Sequence, residues 1–296
     1  MERLLVVGAG DVARRSLPAL AARHETLALV RGEPPAWLAR HGVRAVRGDL
    51  DRPESLAELA GTAALILHFA PPGESGDRDP RTRALVAALS GARMLPRRVV
   101  YISTSGVYGD CGGARVDESR PVNPQTDRAR RRWDAEQVLT GWTAARGIEL
   151  IVLRVPGIYA ADRLPLDRLR RGTPVLRPED DVYTNHIHAD DLAAVCAVAL
   201  APDAPAGVYN ACDDTELKMG DYFDLVAERS GLPRAPRVSR ADAPTAIAPM
   251  LLSFMTESRR LVNRRLKSEL GVRLRYPTVR EGVPRRPALA VQGIAP

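Results

Sequence analysis

The 296-residue chain carries 43 Lys+Arg against 36 Asp+Glu, a net charge of +7, with 45% hydrophobic and 27% charged residues. This is the composition of a globular protein with room for one large or two ordinary domains; no apolar run approaches the ~18 residues that span a bilayer, and at 4% aromatics base-stacking platforms for nucleic acid are not expected. Only Lys218 and Lys267 are lysines; the other 41 basic residues are arginines, interleaved with acids, so the charge alone does not call for a nucleic-acid partner.

In chain order, residues 4–7 read as a strand, followed by glycines and a helix to about residue 23. Strands follow at 26–30, 43–46 and 63–69, a helix at 80–93, a strand at 98–102, a long helix at 127–145 and a strand at 148–153. Continuous apolar strands alternating with helices predict an α/β fold, a doubly wound parallel sheet of the Rossmann type. Prolines 156, 165, 174 and 178 then loosen the pattern. A strand at 182–187 leads into a helix at 189–200, 207–210 is a short strand, and from about 214 the chain reads as helical and basic, with a Pro-rich tail. The expected division is a dinucleotide-binding domain of residues 1–153 with 181–213, and a smaller C-terminal substrate lobe of 154–180 with 214–296. Cys111, Cys196 and Cys212 are too widely spaced for a disulfide framework or zinc knuckle. The four apolar residues before Gly8 are too short for a signal segment. A cytoplasmic protein with reduced thiols is expected.

The opening strand runs into Gly8-Ala9-Gly10-Asp11-Val12-Ala13, a GxGxxG-type turn with Ala13 in the third place. Gly8 allows the tight turn, Gly10 lets backbone approach a pyrophosphate, and the free N–H groups of the following helix, Asp11 and Val12 among them, attract its charge. About twenty residues on, the second strand ends at Val30-Arg31. An acid there would bind the 2′-hydroxyl of NAD; arginine suits the 2′-phosphate of NADP. NADP is therefore the expected cofactor, with NAD kept open by Glu33. Arg14 and Arg15 are candidates to assist, and Arg31 also reads as a solvated turn residue.

Several further segments, in this order, resemble the extended short-chain dehydrogenase/reductase superfamily, the group of NAD-dependent epimerases and dehydratases. Gly48-Asp49-Leu50 resembles its adenine-contacting segment and His68-Phe69-Ala70, before Pro71, the stretch beneath the cofactor. Ser103-Thr104-Ser105-Gly106-Val107-Tyr108-Gly109 resembles its SSxxVYG active-site segment, and Asp117-Glu118 through Pro121 and Pro124 the acidic loop that follows. Leu153-Arg154 through Pro156, Gly157 and Tyr159 resembles the stretch beside the nicotinamide, and Asn185 to Ala193 the family's IHxxDLA helix start. The resemblance implies cofactor contacts at Asp49, Leu50, Phe69, Ala70, Pro71, Pro156 and Gly157, a small-molecule substrate of sugar-nucleotide type, and a homodimer through the helices at 80–93 and 127–145. Ala84, Leu85, Ala88 and Leu89 form an apolar stripe that suits either a dimer or packing on the sheet.

The family's chemistry uses a YxxxK pair at the start of the long helix, where lysine lowers the tyrosine pKa and holds the nicotinamide ribose. Counted from the proline loop, these positions fall at Thr126 and Arg130, and no tyrosine in the chain has a lysine four residues on. Arg130 would keep the positive charge beside the cofactor without a lysine's geometry. Thr104 matches the family's catalytic Ser/Thr. Tyr108 is the candidate acid/base, its alternative role being to shape the loop, and Tyr159 is a second candidate. Alternation puts His186 and His188 on one face, but Asp190 and Asp191 at a helix start read as caps and no third ligand is apparent, so no metal is expected. Two readings follow: an oxidoreductase or epimerase with altered acid–base residues, transferring hydride between nicotinamide and an oxygen-bearing carbon, or a non-catalytic NADP-binding sensor.

Overall fold

The computed structural model describes residues 1–285; the Pro-rich tail from 286 lies outside them. The strands are β1 (Arg3–Val7), β2 (Glu25–Val30), β3 (Arg44–Arg47), β4 (Leu65–His68), β5 (Arg98–Thr104), β6 (Arg115–Val116), β7 (Glu149–Val155), β8 (Gly157–Tyr159), β9 (Val175–Leu176), β10 (Tyr183–Thr184), β11 (His186–His188), β12 (Gly207–Asn210), β13 (Leu217–Lys218), β14 (Arg237–Val238) and β15 (Arg260–Leu261). Seven of them make one sheet in the order β12-β7-β5-β4-β1-β2-β3, every pair parallel. The longer helices are α1 (Asp11–Ala21), α2 (Ala36–Arg40), α3 (Pro80–Ser90), α4 (Asp127–Ala144), α5 (Leu166–Arg170), α6 (Ala189–Ala199) and α7 (Met219–Ser230).

Alternation along each strand divides the core. Leu4, Val6, Ala28 and Val30 face α1 and α6, meeting Leu17, Leu20, Val195 and Cys196. Leu5, Val7, Leu27 and Leu29 face α3 and α4, meeting Leu85, Leu89, Leu139 and Trp142. Both faces are covered, which is why these strands read as unbroken apolar runs. The stripe Ala84, Leu85, Leu89, with Ala88 beside it, is spent on this sheet face. The strand order reverses at β1, so β1 and β4 send their loops to opposite sides and leave a crevice at the carboxyl edge, where open α/β sheets bind ligands.

The remainder differs from expectation in detail. The run at 182–187 is two strands broken at Asn185: β10 pairs antiparallel with β13, and β11 pairs parallel with β8. Beyond 214, among the described residues, α7 is the one helix longer than five residues; the rest is turns and helices of three to five residues, with two-residue strands pairing back to earlier ones, β14 with β9 and β15 with β6. A third apolar cluster, including Tyr159, Leu176, Phe223, Val226, Met255 and Val283, forms the interior of this region. Its many polar side chains bond irregular backbone, a pattern that helical periodicity does not register.

Candidate functional site

The crevice holds a cavity of about 550 Å³ lined by Gly8, Gly10, Asp11, Val12, Arg31, Asp49, Leu50, Phe69, Ala70 and Pro71, among others. These are ten of the residues expected to hold a dinucleotide. Gly8 has φ +99°, and a Cβ there would lie 2.6 Å from the Ala70 nitrogen. The segment is pressed against β1 because Phe69 and Ala70 both donate N–H bonds to the Val7 carbonyl, at 2.8 and 2.9 Å. A Cβ at Gly10 meets no protein atom within 4 Å. It would fill only the cavity, the place a phosphate needs. Gly10 caps α1 without a side-chain bond, and the first helical bond comes from Arg14 to the Gly10 carbonyl. The N–H groups of the first turn therefore remain available to an anion. The residues present fit a dinucleotide.

At the end of β2, Arg31 lines the cavity and has no carboxylate within 4 Å among the described residues. Glu33 is instead paired with Arg47 at 2.5 Å. Arg15 does not assist there. It is bound to Asp11 (3.1 Å), Asp162 (2.6 Å) and Asp190 (2.9 Å), tying α1 to α6 and to the turn at Ala161–Arg163. Arg14 does not line the cavity. Arg163 does, and it bonds Asp11 at 2.9 Å. Burial works against the Asp11 carboxylate, but Arg163 and Arg15 hold its pKa below the usual range. Nothing local in the sequence marks Arg163, which arrives from 152 residues away.

A second cavity, of about 880 Å³, opens beside the first, and the two share Pro71, Arg81, Ile102, Arg132 and Ile158. Its wall includes Thr104, Ser105, Pro156, Gly157, Tyr183 and Asn185. The register β5–β7 sets Thr104 beside Val155, so the ends of both strands meet there. Thr104 Oγ1 accepts the Gly106 N–H at 3.2 Å and caps the turn at Ser105–Tyr108. Its own O–H stays free to donate. Asn185 is fixed by accepting from Leu261 N (2.7 Å) and donating to the Arg259 carbonyl (2.9 Å).

Thr126 and Arg130 line neither cavity. Thr126 is the N-cap of α4, accepting from Ala129 N at 3.2 Å, and Arg130 is exposed and pairs with Asp127 at 2.7 Å. The i,i+4 pair of α4 that faces the cleft is Arg128 and Arg132. Thr126 and Arg130, the positions counted from the proline loop, lie two residues before this pair. Ala135, Leu139 and Trp142, buried and spaced four and three residues apart, mark the face of the helix that packs on the sheet. Arg132 donates to the Ile102 carbonyl at 2.6 Å.

Tyr108 also stands away from both cavities. It is 1% exposed, and its hydroxyl donates to Asn210 Oδ1 at 2.9 Å. Asn210 in turn donates to the Val116 and Val262 carbonyls. Burial raises the phenol's pKa despite the nearby Arg154, the opposite of what a base needs. Beneath it lies a buried pair, Arg154 with Glu136 at 2.8 Å, the latter also accepting from Ser103. Tyr108 thus has its hydroxyl engaged inside the protein. Tyr159 likewise is buried, its hydroxyl donating to the Thr278 carbonyl, with burial pushing its pKa up. Of the tyrosines, only Tyr183 lines the second cavity, a residue the sequence reading passed over. His186 and His188 both pack edge-on against Tyr159, and His188 Nδ1 accepts from Asp190 N as the cap of α6. Among the described residues, no three His, Cys, Asp or Glu side chains meet as a metal site. No helix among them is long and apolar enough to cross a membrane.

A family model described as NAD(P)H-binding matches residues 8–203. Over 96% of the chain and 99% of the relative, the sequence is 29% identical to a 3-diazoavenalumate denitrifying reductase from a Streptomyces species. It is 27% identical to the 2'-dehydrokanamycin reductase of Streptomyces kanamyceticus over 70% of this chain and 60% of that one. A putative UDP-glucose 4-epimerase of Methanocaldococcus jannaschii matches at 22% over 45% of this chain and 47% of its own length. The chain thus spans about half to three fifths of these last two. Among solved structures, a functionally unknown conserved protein from Silicibacter pomeroyi superposes with a TM-score of 0.77 at 32% identity, covering 95% of this chain and 96% of the other.

Proposed function

The chain belongs to the NAD(P)H-binding family, within the epimerase/dehydratase group of short-chain dehydrogenases and reductases, and from that premise we propose that it is an NADP-dependent oxidoreductase acting on an oxygen-bearing carbon of a small molecule. The observation that carries this reading is the shared wall of the two cavities: Pro71, Arg81, Ile102, Arg132 and Ile158 border both. A ligand filling the first ends where a second molecule can sit. The preference for NADP rests on Arg31, which lines the first cavity without a carboxylate partner. The names of two relatives include the word reductase, which supports the same class.

The bound dinucleotide supplies or accepts hydride. The protein's own part is to hold the substrate oxygen and the charge that develops on it. Thr104 is placed to donate its O–H to that oxygen. Arg132 carries a fixed positive charge at the junction of the cavities, because guanidinium groups stay protonated in proteins. Stabilisation of developing charge by preset donors is worth several kcal/mol in a site that excludes water. This arrangement substitutes permanent charge for a tyrosine whose pKa is lowered. Tyr183 lines the same cavity and its phenolic O–H is the donor placed to supply the proton that accompanies hydride.

The reading is tested by supplying NADPH deuterated at C4 with a panel of aldehydes, ketones and keto-sugars, and analysing the products by mass spectrometry. Deuterium in a product is expected, and Thr104→Val is expected to lower kcat by roughly 10²-fold. Tight NADP binding with no transfer to any member would favour the sensor instead.

A further inference from the structure

Five arginines line the second cavity, Arg81, Arg128, Arg131, Arg132 and Arg259, against two acids, Glu74 and Glu257. Two of the five are already neutralised. Arg81 grips Asp51 through two bonds of 2.6 and 2.7 Å, and Arg259 pairs with Glu257 at 2.8 Å. The other three project from the first turns of α4, and among the described residues none has a carboxylate within 4 Å. Arg131 donates to the Gly76 carbonyl and Arg132 to that of Ile102. The Arg128 side chain makes no hydrogen bond among the described residues and lies over the Phe254 ring, 4.3 Å from its centroid.

This arrangement runs against local physics. A helix N-terminus favours negative charge, and like charges three or four residues apart repel; Arg128 stands in both relations, to Arg131 and to Arg132. The helix has acids that could relieve it, yet each is engaged elsewhere: Asp127 with Arg130, Asp134 with Arg83 and Glu136 with Arg154. Burial lowers the pKa of Arg128, with Glu257 opposing and the neighbouring Arg132, Arg259 and Arg131 adding to the fall, as expected for a cation partly removed from water among like charges. Across the cleft the wall changes character. Met219, Met250 and Phe254 line it, and Met250 and Phe254 are 77% and 40% exposed, an apolar lip beside the charge. Arg128 and Arg131 border this cavity and not the dinucleotide cavity, so the cofactor's own phosphates do not account for them.

We propose that Arg128 and Arg131, with Arg132 behind them, form an anion-binding wall, and that the substrate is an organic anion with an apolar body, its charge a carboxylate or a phosphate ester. The proposal deepens the oxidoreductase reading and rests on it for the word substrate. Arginine forks bind either oxyanion through paired charge-assisted bonds, and the lip gives the apolar body a surface to cover.

The test is calorimetric titration of the NADP⁺-saturated protein with 3-phenylpropanoate, phenyl phosphate and the neutral 3-phenylpropanamide. At least one anion is expected to bind about tenfold more tightly than the amide, and whichever anion binds better identifies the source of the charge. Arg128→Gln and Arg131→Gln are expected to abolish that preference while leaving NADP⁺ affinity unchanged. Because each relieves like-charge repulsion, both are also expected to melt above wild type without ligand and to gain less from the anion. An amide that binds as tightly as the anions, or variants that keep the preference, would overturn the proposal. Failure of NADP⁺ to bind wild type would instead sink the oxidoreductase reading; the same titration on dinucleotide-free protein then decides the anion wall alone.

Discussion

Tyr108 and Thr104 lie four residues apart in one loop and have different work. Thr104 faces the open cleft with an O–H to spare, whereas the Tyr108 hydroxyl is committed to Asn210 within a buried bond network. Tyr108→Phe leaves Asn210 Oδ1 without its donor, and an orphaned buried acceptor costs about 1–3 kcal/mol. The expected outcome is a loss of that size in urea unfolding with kcat on a working substrate retained. A collapse of kcat with stability intact would make Tyr108 catalytic after all. The sequence could not separate these roles, because both residues sit in one motif and only long-range partners, Asn210 and Arg154, distinguish them. The Gly8 turn was legible because it is local, a left-handed turn at the end of one strand, and so was the position of Arg31 on the cavity wall, at the end of the next.

At the scale of elements, β1 through β5, β7 and β12 were readable from apolar runs, since a sheet covered on both faces imposes that pattern. The register of α4 was not, because a loop of unknown conformation precedes it. Arg98 escaped notice for a similar reason. It is fully buried, pairing with Glu149 51 residues on and donating to the carbonyls of Ala199, Pro202 and Ala204, 101 to 106 residues distant in sequence. The join between β11 and the segment after β12 carries a pH dependence. Asp213 N donates to the His186 carbonyl at 2.7 Å, and the Asp213 carboxyl, 3% exposed with one oxygen unbonded, is pushed by burial up to about 7. Between the unfolded value of 3.8 and about 7 the native state holds a proton that the unfolded state releases, so this group's contribution to stability falls as pH rises through that window. His186, held neutral by burial with a pKa of about 3, acts in the opposite sense, costing stability as pH falls below 6.5. Asp213→Asn is therefore expected to be more stable than wild type near about pH 8, by a few kcal/mol at most, and to keep the loss at acid pH. Equal stability of the two proteins from about pH 5 to 8 would show that Asp213 is ionised in the fold.

The whole molecule is a parallel sheet whose crevice feeds one cavity into another, with short strand pairs and α7 roofing the second. The first cavity was visible in the sequence almost residue by residue. The second was not, since its wall comes from the ends of β5 and β7, the start of α4, β10 and the lip at Met250 and Phe254, segments that no single motif joins. The near-absence of lysine takes on a specific meaning at this scale: arginine stands on the wall of the first cavity at the end of β2 and along the α4 wall of the second. The account depends first on the cofactor, and calorimetric titration of wild type and Arg31→Ala with NADPH and NADH tests it most directly. NADPH is expected to bind wild type about tenfold or more tightly than NADH, the worth of a charge-assisted arginine–phosphate contact, with the difference erased in Arg31→Ala. Equal affinities in wild type, or a preference that survives the substitution, would contradict it.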